Sequence, residues 1–434
     1  MAFKGAIEVD TQKCKGCSVC VENCPTKSIE LSKMVNSKGY HYAEMVGEAC
    51  IGCSNCAIVC PDSVITVYRV KISDMAEKIL MKGNEAIAIS AIRNGVDGYF
   101  GYPITPQSEV METLMKEKPW ETTGMVVLQA ESETSSINMV YGGASCGKKV
   151  MTSSSSPGIS LMCEGLSYLA GAELPCVIVN CQRGGPGLGT IQPSQSDYNQ
   201  CVKGGGHGDY NAIVLAPASG QDMYDFVDWG FDLAFKYRTP VIILADGIVG
   251  QMMEKVELRP EKPRMTKEEI LAAAPWATTG KTADRPYNII TSLALESDVQ
   301  ERFNKKLAAK YEVIRENEVK YEEYQTEDAE YLFVAFGCSS RICEAVVDQL
   351  REEGVKAGLL RPITLFPFPT KRIKELSGQV KSMMSIELNL GQMVDDVRLA
   401  VNGVCPVGFY GRQGGNIYTP DEIVEEFKKF NNLK

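Results

Sequence analysis

Two runs of closely spaced cysteines near the start of the chain restrict its fold more than any other feature. They hold eight of the sixteen cysteines, and each has the spacing C-x2-C-x2-C-x3-C-P. The runs are Cys14, Cys17, Cys20 and Cys24 before Pro25, and Cys50, Cys53, Cys56 and Cys60 before Pro61. Because thiolates are soft ligands, cysteines repeated at such short intervals indicate a metal centre.

The repeated spacing predicts two [4Fe–4S] clusters, because in this pattern three cysteines of a run bind one cluster and the fourth binds the other. The predicted ligands are Cys14, Cys17, Cys20 and Cys60 for cluster 1, and Cys50, Cys53, Cys56 and Cys24 for cluster 2. Structural zinc is the alternative, but zinc sites are usually built from pairs of ligands rather than triplets. Gly16 and Gly52 occupy equivalent positions, where the backbone must turn tightly around sulfur.

A small α+β domain over residues 1–70 is predicted around these cysteines. Apolar residues alternate over Ala6–Val9 and Ile65–Val70, which is typical of strands that could pair the two ends of the domain. Ser37-Lys38-Gly39 between them is typical of a hairpin turn.

Bulk composition excludes several classes of partner. A chain of 434 residues is too long for one ordinary core. The net charge of −10 argues against nucleic acid and anionic membranes as partners. The sequence has no apolar run of membrane-spanning length and no signal-peptide pattern at its start. With sixteen cysteines, the expected location is therefore the reducing cytoplasm.

Residues 71–255 predict a parallel α/β sheet covered on both faces, because short apolar runs alternate with helical stretches. The helical stretches include Glu131–Cys146 and Ile159–Ala172. The apolar runs are Met125–Leu128, Lys149–Met151, Cys176–Val179, Ile213–Leu215 and Val241–Leu244. In such sheets ligands bind beyond the carboxyl ends of the strands, so the loops there are expected to carry the chemistry.

Those loops carry a family resemblance. The motifs are Gly-Tyr-Pro-Ile-Thr-Pro-Gln at 101–107, Thr-Ser-Ser-Ser-Ser-Pro-Gly at 152–158, Gln-Arg-Gly-Gly-Pro-Gly at 182–187 and Gly-Gly-Gly-His-Gly-Asp at 204–209. With them, residues 71–434 resemble the α subunit of 2-oxoacid:ferredoxin oxidoreductases, most of all the branched-chain (3-methyl-2-oxobutanoate) type. The cysteine-rich module looks like a 2[4Fe–4S] ferredoxin fused at the front.

The resemblance implies a thiamine-diphosphate pyrimidine-binding domain over residues 71–255. Its hallmark is a glutamate at the start of a helix, whose carboxyl group bonds the pyrimidine nitrogen N1′ and promotes formation of the carbanion nucleophile. Glu133 matches this glutamate, and Glu131 is the rival. In a dry pocket the pKa of such a carboxyl group is expected to be raised. The alternative for either residue is an acid favoured by a helix N-terminus.

The resemblance also assigns substrate-binding residues. A guanidinium grips a carboxylate through two hydrogen bonds, and Arg183 matches the arginine that holds the 2-oxoacid. Thr105 matches a threonine that contacts the same carboxylate. A surface salt bridge for Arg183 and a turn for Thr105 are the alternatives. Gly184–Gly189 lacks the Lys-Ser/Thr of a phosphate loop, and His207 matches a motif but has no assigned role.

The remaining sequence predicts a linker or arm over residues 256–325, followed by a transketolase C-terminal-like α/β domain over residues 326–434. Val299, Phe303 and Leu307 recur every fourth residue, which predicts an amphipathic helix in the arm. In the last domain the predicted strands and helices are Leu332–Phe336, Ile342–Glu352, Ala357–Leu360, Met383–Ile386 and Pro420–Phe430.

One expected part of the cofactor site has no counterpart in the sequence. The family's Mg²⁺–diphosphate signature is Gly-Asp-Gly followed by an Asn pair, and the nearest stretch is Ala245-Asp246-Gly247. The resemblance therefore implies a β subunit that supplies Mg²⁺, the diphosphate site and a proximal cluster, a γ subunit that helps bind coenzyme A, and external ferredoxin. The implied reaction converts a 2-oxoacid to acyl-CoA and CO2. The alternatives are a 2-oxoglutarate enzyme and a non-catalytic electron-transfer adaptor.

Overall fold

The computed structural model describes residues 3–47, 49–71, 77–281, 283, 285 and 287–433. The chain divides into two compact units, Met1–Lys78 and Ile79–Lys434. The finer domain boundaries near residues 70, 255 and 325 stay predictions.

The N-terminal unit contains two antiparallel strand pairs and two short helices. In chain order they are β1 (Phe3–Val9), α1 (Val19–Glu22), β2 (Ile29–Val35), β3 (His41–Met45), α2 (Asn55–Ile58) and β4 (Ile65–Lys71). Strands β1 and β4 pair with Ile7 opposite Val67, which confirms the predicted pairing of the two ends. The predicted turn at 37–39 is present, and it joins β2 to β3, two strands that the sequence pattern did not indicate.

A seven-stranded sheet organises the first part of the larger unit. Its elements include β6 (Gly98–Gly101), β7 (Val126–Gln129), α6 (Glu133–Ser145), β8 (Val150–Ser154), α7 (Ser156–Gly171), β9 (Cys176–Gln182), β10 (Ile213–Leu215), β11 (Pro240–Asp246) and β16 (Thr364–Phe366). The order is β16-β10-β11-β9-β8-β6-β7, parallel throughout except for β16. All five predicted strands and both predicted helices are confirmed. Strands β9 and β11 are buried along their whole length, as expected of parallel strands covered on both faces.

Further helices and one strand pair surround this sheet. They are β5 (Glu77–Lys82), α3 (Gly83–Arg93), α4 (Ser108–Glu117), α5 (Pro119–Thr122), α8 (Tyr198–Val202), α9 (Gly220–Tyr237), α10 (Gly247–Gln251) and β12 (Met253–Leu258). Strand β5 pairs with β12. Two helices follow in the predicted arm, α11 (Lys267–Ala273) and α12 (Ser297–Asn317). The predicted amphipathic helix is thus confirmed, although it buries Leu307, Tyr311 and Ile314 and leaves Val299 exposed.

A five-stranded sheet of order β13-β15-β14-β17-β18 forms the last part of the chain. Its elements are β13 (Tyr321–Tyr324), β14 (Tyr331–Val334), α13 (Gly337–Glu352), β15 (Ala357–Pro362), α14 (Thr370–Ser377), β17 (Ser382–Glu387), α15 (Met393–Val401), β18 (Val407–Gly411) and α16 (Pro420–Asn431). Every predicted element of this region is confirmed. Helix α16 begins at Pro420, and its first turn is closed by a capping box between Thr419 and Glu422, a combination favoured at helix starts.

The two larger sheets share one continuous apolar core. Strand β16 adds to the edge of the first sheet, with Val214 opposite Phe366. Buried polar contacts reinforce this connection: Gln195 donates to the carbonyl of Phe336 at 2.8 Å, and the N–H of Cys338 donates to Asp246 at 2.7 Å. These contacts connect the loop after β9 and the last residue of β11 to the start of α13.

Candidate functional site

Cysteines from both runs line one small cavity of the N-terminal unit. Cys14, Cys17 and Cys20 come from the first run, and Cys60 comes from the second. The backbone N–H of Ala43 points at Sγ of Cys14 from 3.4 Å, a contact that stabilises a thiolate. This grouping supports the predicted ligands of cluster 1.

The other four cysteines also include one from the first run. Cys24, the last cysteine of that run, packs against the same small core as Cys56 of the second run. Burial raises the pKa of the Cys56 thiol, the N–H of Ala57 lowers it, and the thiols of Cys53, Cys50 and Cys24 raise it. The sulfur of Cys24 accepts from the N–H of Ser28 at 3.3 Å. This crossed arrangement suits the predicted ligands of cluster 2.

The backbone repeats its conformation in the two runs. Gly16 and Gly52 have φ angles of +64° and +62°, and Ser18 and Ser54 have +62° and +66°. A Cβ atom at Gly16 would lie 2.1 Å from the carbonyl oxygen of His41, so only glycine fits there. The tight turns predicted at the two glycines are confirmed.

Arg183 follows β9 and is 6% exposed. One guanidinium nitrogen, Nη1, donates to the carbonyl of Thr105 at 3.0 Å, and Nη2 donates to the carbonyl of Leu188 at 3.2 Å. The third nitrogen, Nε, is buried without a partner. Among the residues that the structure describes, no carboxylate pairs with this cation. A buried cation held only by neutral groups would be stabilised by an anionic ligand.

Glu133 is the first residue of α6 and is 5% exposed, whereas Glu131 is exposed. Its Oε1 accepts a long hydrogen bond from Ser154 at 3.4 Å. The helix is capped by Ser132, which accepts from the N–H of Ser135. Glu133, rather than its rival, therefore has the shielded position that the predicted role requires.

Thr105 lies in an exposed part of the loop after β6. The adjoining residues fix this loop: the carbonyl of Pro106 accepts from Asn84 at 2.7 Å and from Gln251 at 2.8 Å. Gln107 is fully buried and accepts from Ser153 at 2.5 Å, which attaches the loop to β8.

Residues 154–158, where β8 runs into α7, link the two predicted site residues. Ser154 bonds Glu133, and Ser156 accepts from the backbone N–H of Arg183 at 3.0 Å. Gly158 is so close to Glu133 that a Cβ atom there would lie 2.4 Å from its Oε1. Residues 154–158, which we call the wall of the site, therefore contact the carboxyl group of Glu133 and the main chain of Arg183.

Sequence reasoning passed over Asp197, a buried carboxylate beside this wall. It accepts from Ser156 at 2.6 Å and from Asn180 at 2.9 Å. The only signal in the sequence was an aspartate before a short helix, a common helix cap.

Comparisons with known proteins agree with this arrangement. Residues 89–323 match the family model described as pyruvate flavodoxin/ferredoxin oxidoreductase, thiamine diphosphate-binding. Residues 329–423 match pyruvate:ferredoxin oxidoreductase core domain II, and residues 13–64 match a 4Fe-4S dicluster domain. The ketoisovalerate oxidoreductase subunit VorB of Methanothermobacter marburgensis is 49% identical over 81% of this chain and 97% of its own length. The chain belongs to the 2-oxoacid:ferredoxin oxidoreductases.

Two further relatives extend the comparison. The 2-oxoglutarate synthase subunit KorA of Methanocaldococcus jannaschii is 38% identical over 79% of this chain and 97% of its own length. A solved 2-oxoglutarate:ferredoxin oxidoreductase from Magnetococcus marinus has a TM-score of 0.69 at 27% identity. That match covers 82% of this chain and 65% of the solved one, whose structure was determined with 2-oxoglutarate, coenzyme A and succinyl-CoA bound.

The predicted family and fold class are confirmed. As a 2-oxoacid:ferredoxin oxidoreductase subunit, the chain combines a thiamine diphosphate-binding domain with a 4Fe-4S dicluster domain. The relatives VorB and KorA are each named as an enzyme subunit. None of the described helices is long and apolar enough to cross a lipid bilayer.

The motif residue His207 and the side chain of Leu188 lie outside the contacts just described. His207 is exposed, contacts Ser167 at 3.2 Å and meets the ring of Tyr168 edge-on. Both partners lie in the second half of α7, away from the end that contacts Glu133 and Arg183. Leu188, in the glycine-rich loop, is 82% exposed and reaches the site only through its carbonyl.

Proposed function

We propose that this chain is the α subunit of an enzyme that oxidatively decarboxylates a branched-chain 2-oxoacid to acyl-CoA and CO2. The electrons leave through the two [4Fe–4S] clusters bound by the eight N-terminal cysteines and reach ferredoxin. Glu133, Arg183 and Thr105 are the proposed site residues.

The observation that carries the proposal is the buried, uncompensated guanidinium of Arg183. A charge in this environment is costly unless a ligand of opposite sign binds to it. Its Nε has no partner, and its other nitrogens contact only carbonyl oxygens. A 2-oxoacid carries a carboxylate next to the reacting carbonyl, so binding there would orient the carbonyl within the crevice. Thr105 is exposed, and its carbonyl accepts from the same cation.

Glu133 is proposed to hold a proton at the pyrimidine nitrogen N1′ of the cofactor. Its near-complete burial excludes water from that contact, and Ser154 limits the positions its carboxyl group can take. When bound, thiamine diphosphate supplies the carbon nucleophile that attacks the substrate carbonyl. In this proposal Arg183 orients the substrate, and Glu133 holds the proton at N1′.

The branched-chain preference rests on two observations. The VorB relative, named for ketoisovalerate, is 49% identical, whereas the KorA relative, named for 2-oxoglutarate synthesis, is 38% identical. In addition, Arg183 is the one basic residue in the strand-end segments 101–108, 129–134, 152–158 and 182–189. A second substrate carboxylate would need a second cation to pair with it.

Partner subunits are part of the proposal. A β subunit would supply Mg²⁺, the diphosphate site and a proximal cluster, and a γ subunit would help bind coenzyme A. The proposed location is the cytoplasm, because sixteen free cysteines, eight of them proposed cluster ligands, suit a reducing compartment.

Viologen reduction by the purified complex tests the proposal across a panel of 2-oxoacids with coenzyme A. We expect 3-methyl-2-oxobutanoate to give the highest kcat/KM, while a higher value for 2-oxoglutarate would reassign the substrate. Glu133→Gln should abolish turnover and leave the cluster spectra unchanged. The matched control is Glu131→Gln, which alters an exposed acid two residues away and should retain activity. Full activity in Glu133→Gln would refute the role of Glu133. A chain that purifies without any thiamine-binding partner would favour the adaptor alternative.

A further inference from the structure

Asp197 bonds two residues at the end of β9 directly and the following residue, Arg183, through Ser156. Its carboxylate accepts from the side chain of Asn180 at 2.9 Å, and its backbone N–H donates to the side chain of Gln182 at 3.0 Å. Through Ser156 it reaches the main chain of Arg183: Ser156 donates to Asp197 at 2.6 Å and accepts from the N–H of Arg183 at 3.0 Å.

The hydroxyl of Ser156 lies within hydrogen-bond distance of two acceptors, the carboxylate of Asp197 at 2.6 Å and the carbonyl of Arg183 at 3.1 Å. A hydroxyl has one proton, and the short contact to a carboxylate is the stronger use of it. The oxygen of Ser156 is then free to accept from Arg183. The carboxylate therefore fixes the serine hydroxyl, which in turn fixes the main chain from which the guanidinium projects.

The burial of Asp197 shows that this contact is not an incidental surface bond. The residue is 8% exposed, and among the described residues no lysine or arginine pairs with it. Burial raises the pKa of its carboxyl group, while the hydrogen bonds from Ser156 and Asn180 oppose that rise. A buried aspartate that has no cation as a partner must be stabilised by the groups that donate hydrogen bonds to it.

We infer that Asp197 and Ser156 are positioning residues that hold Arg183 in the orientation needed to bind the substrate carboxylate. The identity of that carboxylate rests on the proposed function. The hydrogen bonds among Asp197, Ser156 and Arg183 do not, because they can be measured without substrate.

Hydrogen exchange on the full-length protein measures the hydrogen bonds from Asp197 through Ser156 to Arg183 directly. In Ser156→Ala and Asp197→Ala, the amide of Arg183 loses its acceptor or the group that orients it. Overlapping peptides around residue 183 should show exchange about tenfold faster, as expected for the loss of one hydrogen bond of ordinary strength. The control is Asp396→Ala, which removes a carboxylate that accepts at 2.6 Å from Tyr198, the residue next to Asp197 and the first of helix α8. It should leave the exchange at Arg183 unchanged.

Kinetics of the assembled complex test the consequence for the substrate. Asp197→Ala should raise KM for the 2-oxoacid about tenfold and change kcat less, because the lost function is binding orientation. Asp197→Asn retains an acceptor oxygen and should fall between wild type and Asp197→Ala. Ser156→Thr retains the hydroxyl and should recover most of the loss seen in Ser156→Ala. When Arg183→Lys is already present, Asp197→Ala should add little, since the two residues act as one unit.

Each outcome has a distinct meaning. Unchanged exchange at Arg183 in both alanine variants would overturn the inference, as would effects of Asp197→Ala and Arg183→Lys that multiply independently. Should Asp197→Ala fail to fold, the smaller deletion in Ser156→Ala decides. If wild type oxidises no 2-oxoacid, the proposed function fails, and the exchange experiment still decides whether Asp197 positions Arg183.

Discussion

The two functional regions of this protein are built on different principles. In the N-terminal unit, cysteines at fixed short intervals place the ligands, and the backbone repeats the same φ angles in both runs. In the larger unit, Thr105, Glu133 and Arg183 follow three different strands, β6, β7 and β9, and only the parallel sheet brings the ends of those strands to one edge. A local motif can be recognised without the fold, whereas a site made by topology depends on every strand between its residues.

Removal of the iron should produce the largest difference in stability between the two regions. The apolar core of the N-terminal unit is small and includes Ile29, Ala43, Val64 and Ile65 packed among ligand cysteines. Because such a unit gains much of its stability from bound metal, removal of iron should unfold residues 3–71. Residues 79–433 have a large core of their own and should keep their thermal transition. Hydrogen exchange of peptides from each region checks this. A cooperative loss of protection in both regions would contradict it.

Paired cysteine variants test whether the ligand sets cross. If they do, Cys14→Ser with Cys60→Ser removes two ligands from the same cluster, and about four of eight iron atoms should remain per chain. Cys14→Ser with Cys24→Ser removes one ligand from each cluster and should disturb both. Ligation within each run predicts the reverse pattern. Iron analysis and electron paramagnetic resonance of the reduced protein distinguish the two, and Cys176→Ala, in β9, is the control that should keep all the iron.

Gly158→Ala tests the proposed site at the edge of the parallel sheet. Its Cβ would lie 2.0 Å from Oγ of Ser154 and 2.4 Å from Oε1 of Glu133. Both atoms are at the ends of side chains that can move, so we expect the protein to fold with the carboxyl group displaced. A displacement of this size can lower turnover about 100-fold. The control is Gly142→Ala in α6, where a Cβ meets nothing within 4 Å. It should retain activity and gain up to about 1 kcal/mol of stability. Equal activity in the two variants would argue against Glu133.

The contrast between local motifs and residues brought together by the fold explains what could be predicted from sequence. The cluster ligands, Arg183 and most strands follow from local patterns or motifs. Strand β16 was missed because it has three residues and pairs with a strand far away in the chain. Asp197 was missed because its partners Asn180 and Ser156 lie 17 and 41 residues away, and no periodic pattern connects them. Residues that position a site through long-range contacts leave little trace in a single sequence.

The smallest expected effect concerns the helix cap next to Glu133. Ser132 accepts from the N–H of Ser135 at a long 3.4 Å, so Ser132→Ala should cost only about 0.5 kcal/mol. Ser219 caps α9 with a shorter contact of 3.0 Å to the N–H of Asp222, and Ser219→Ala should cost about 1 kcal/mol. Because the wall at residues 154–158 holds Glu133 from the opposite side, activity should stay within about twofold of wild type in both variants. Thermal unfolding and viologen reduction measure the two effects. A selective loss of activity in Ser132→Ala would mean that the local helix start, rather than the sheet, positions the acid.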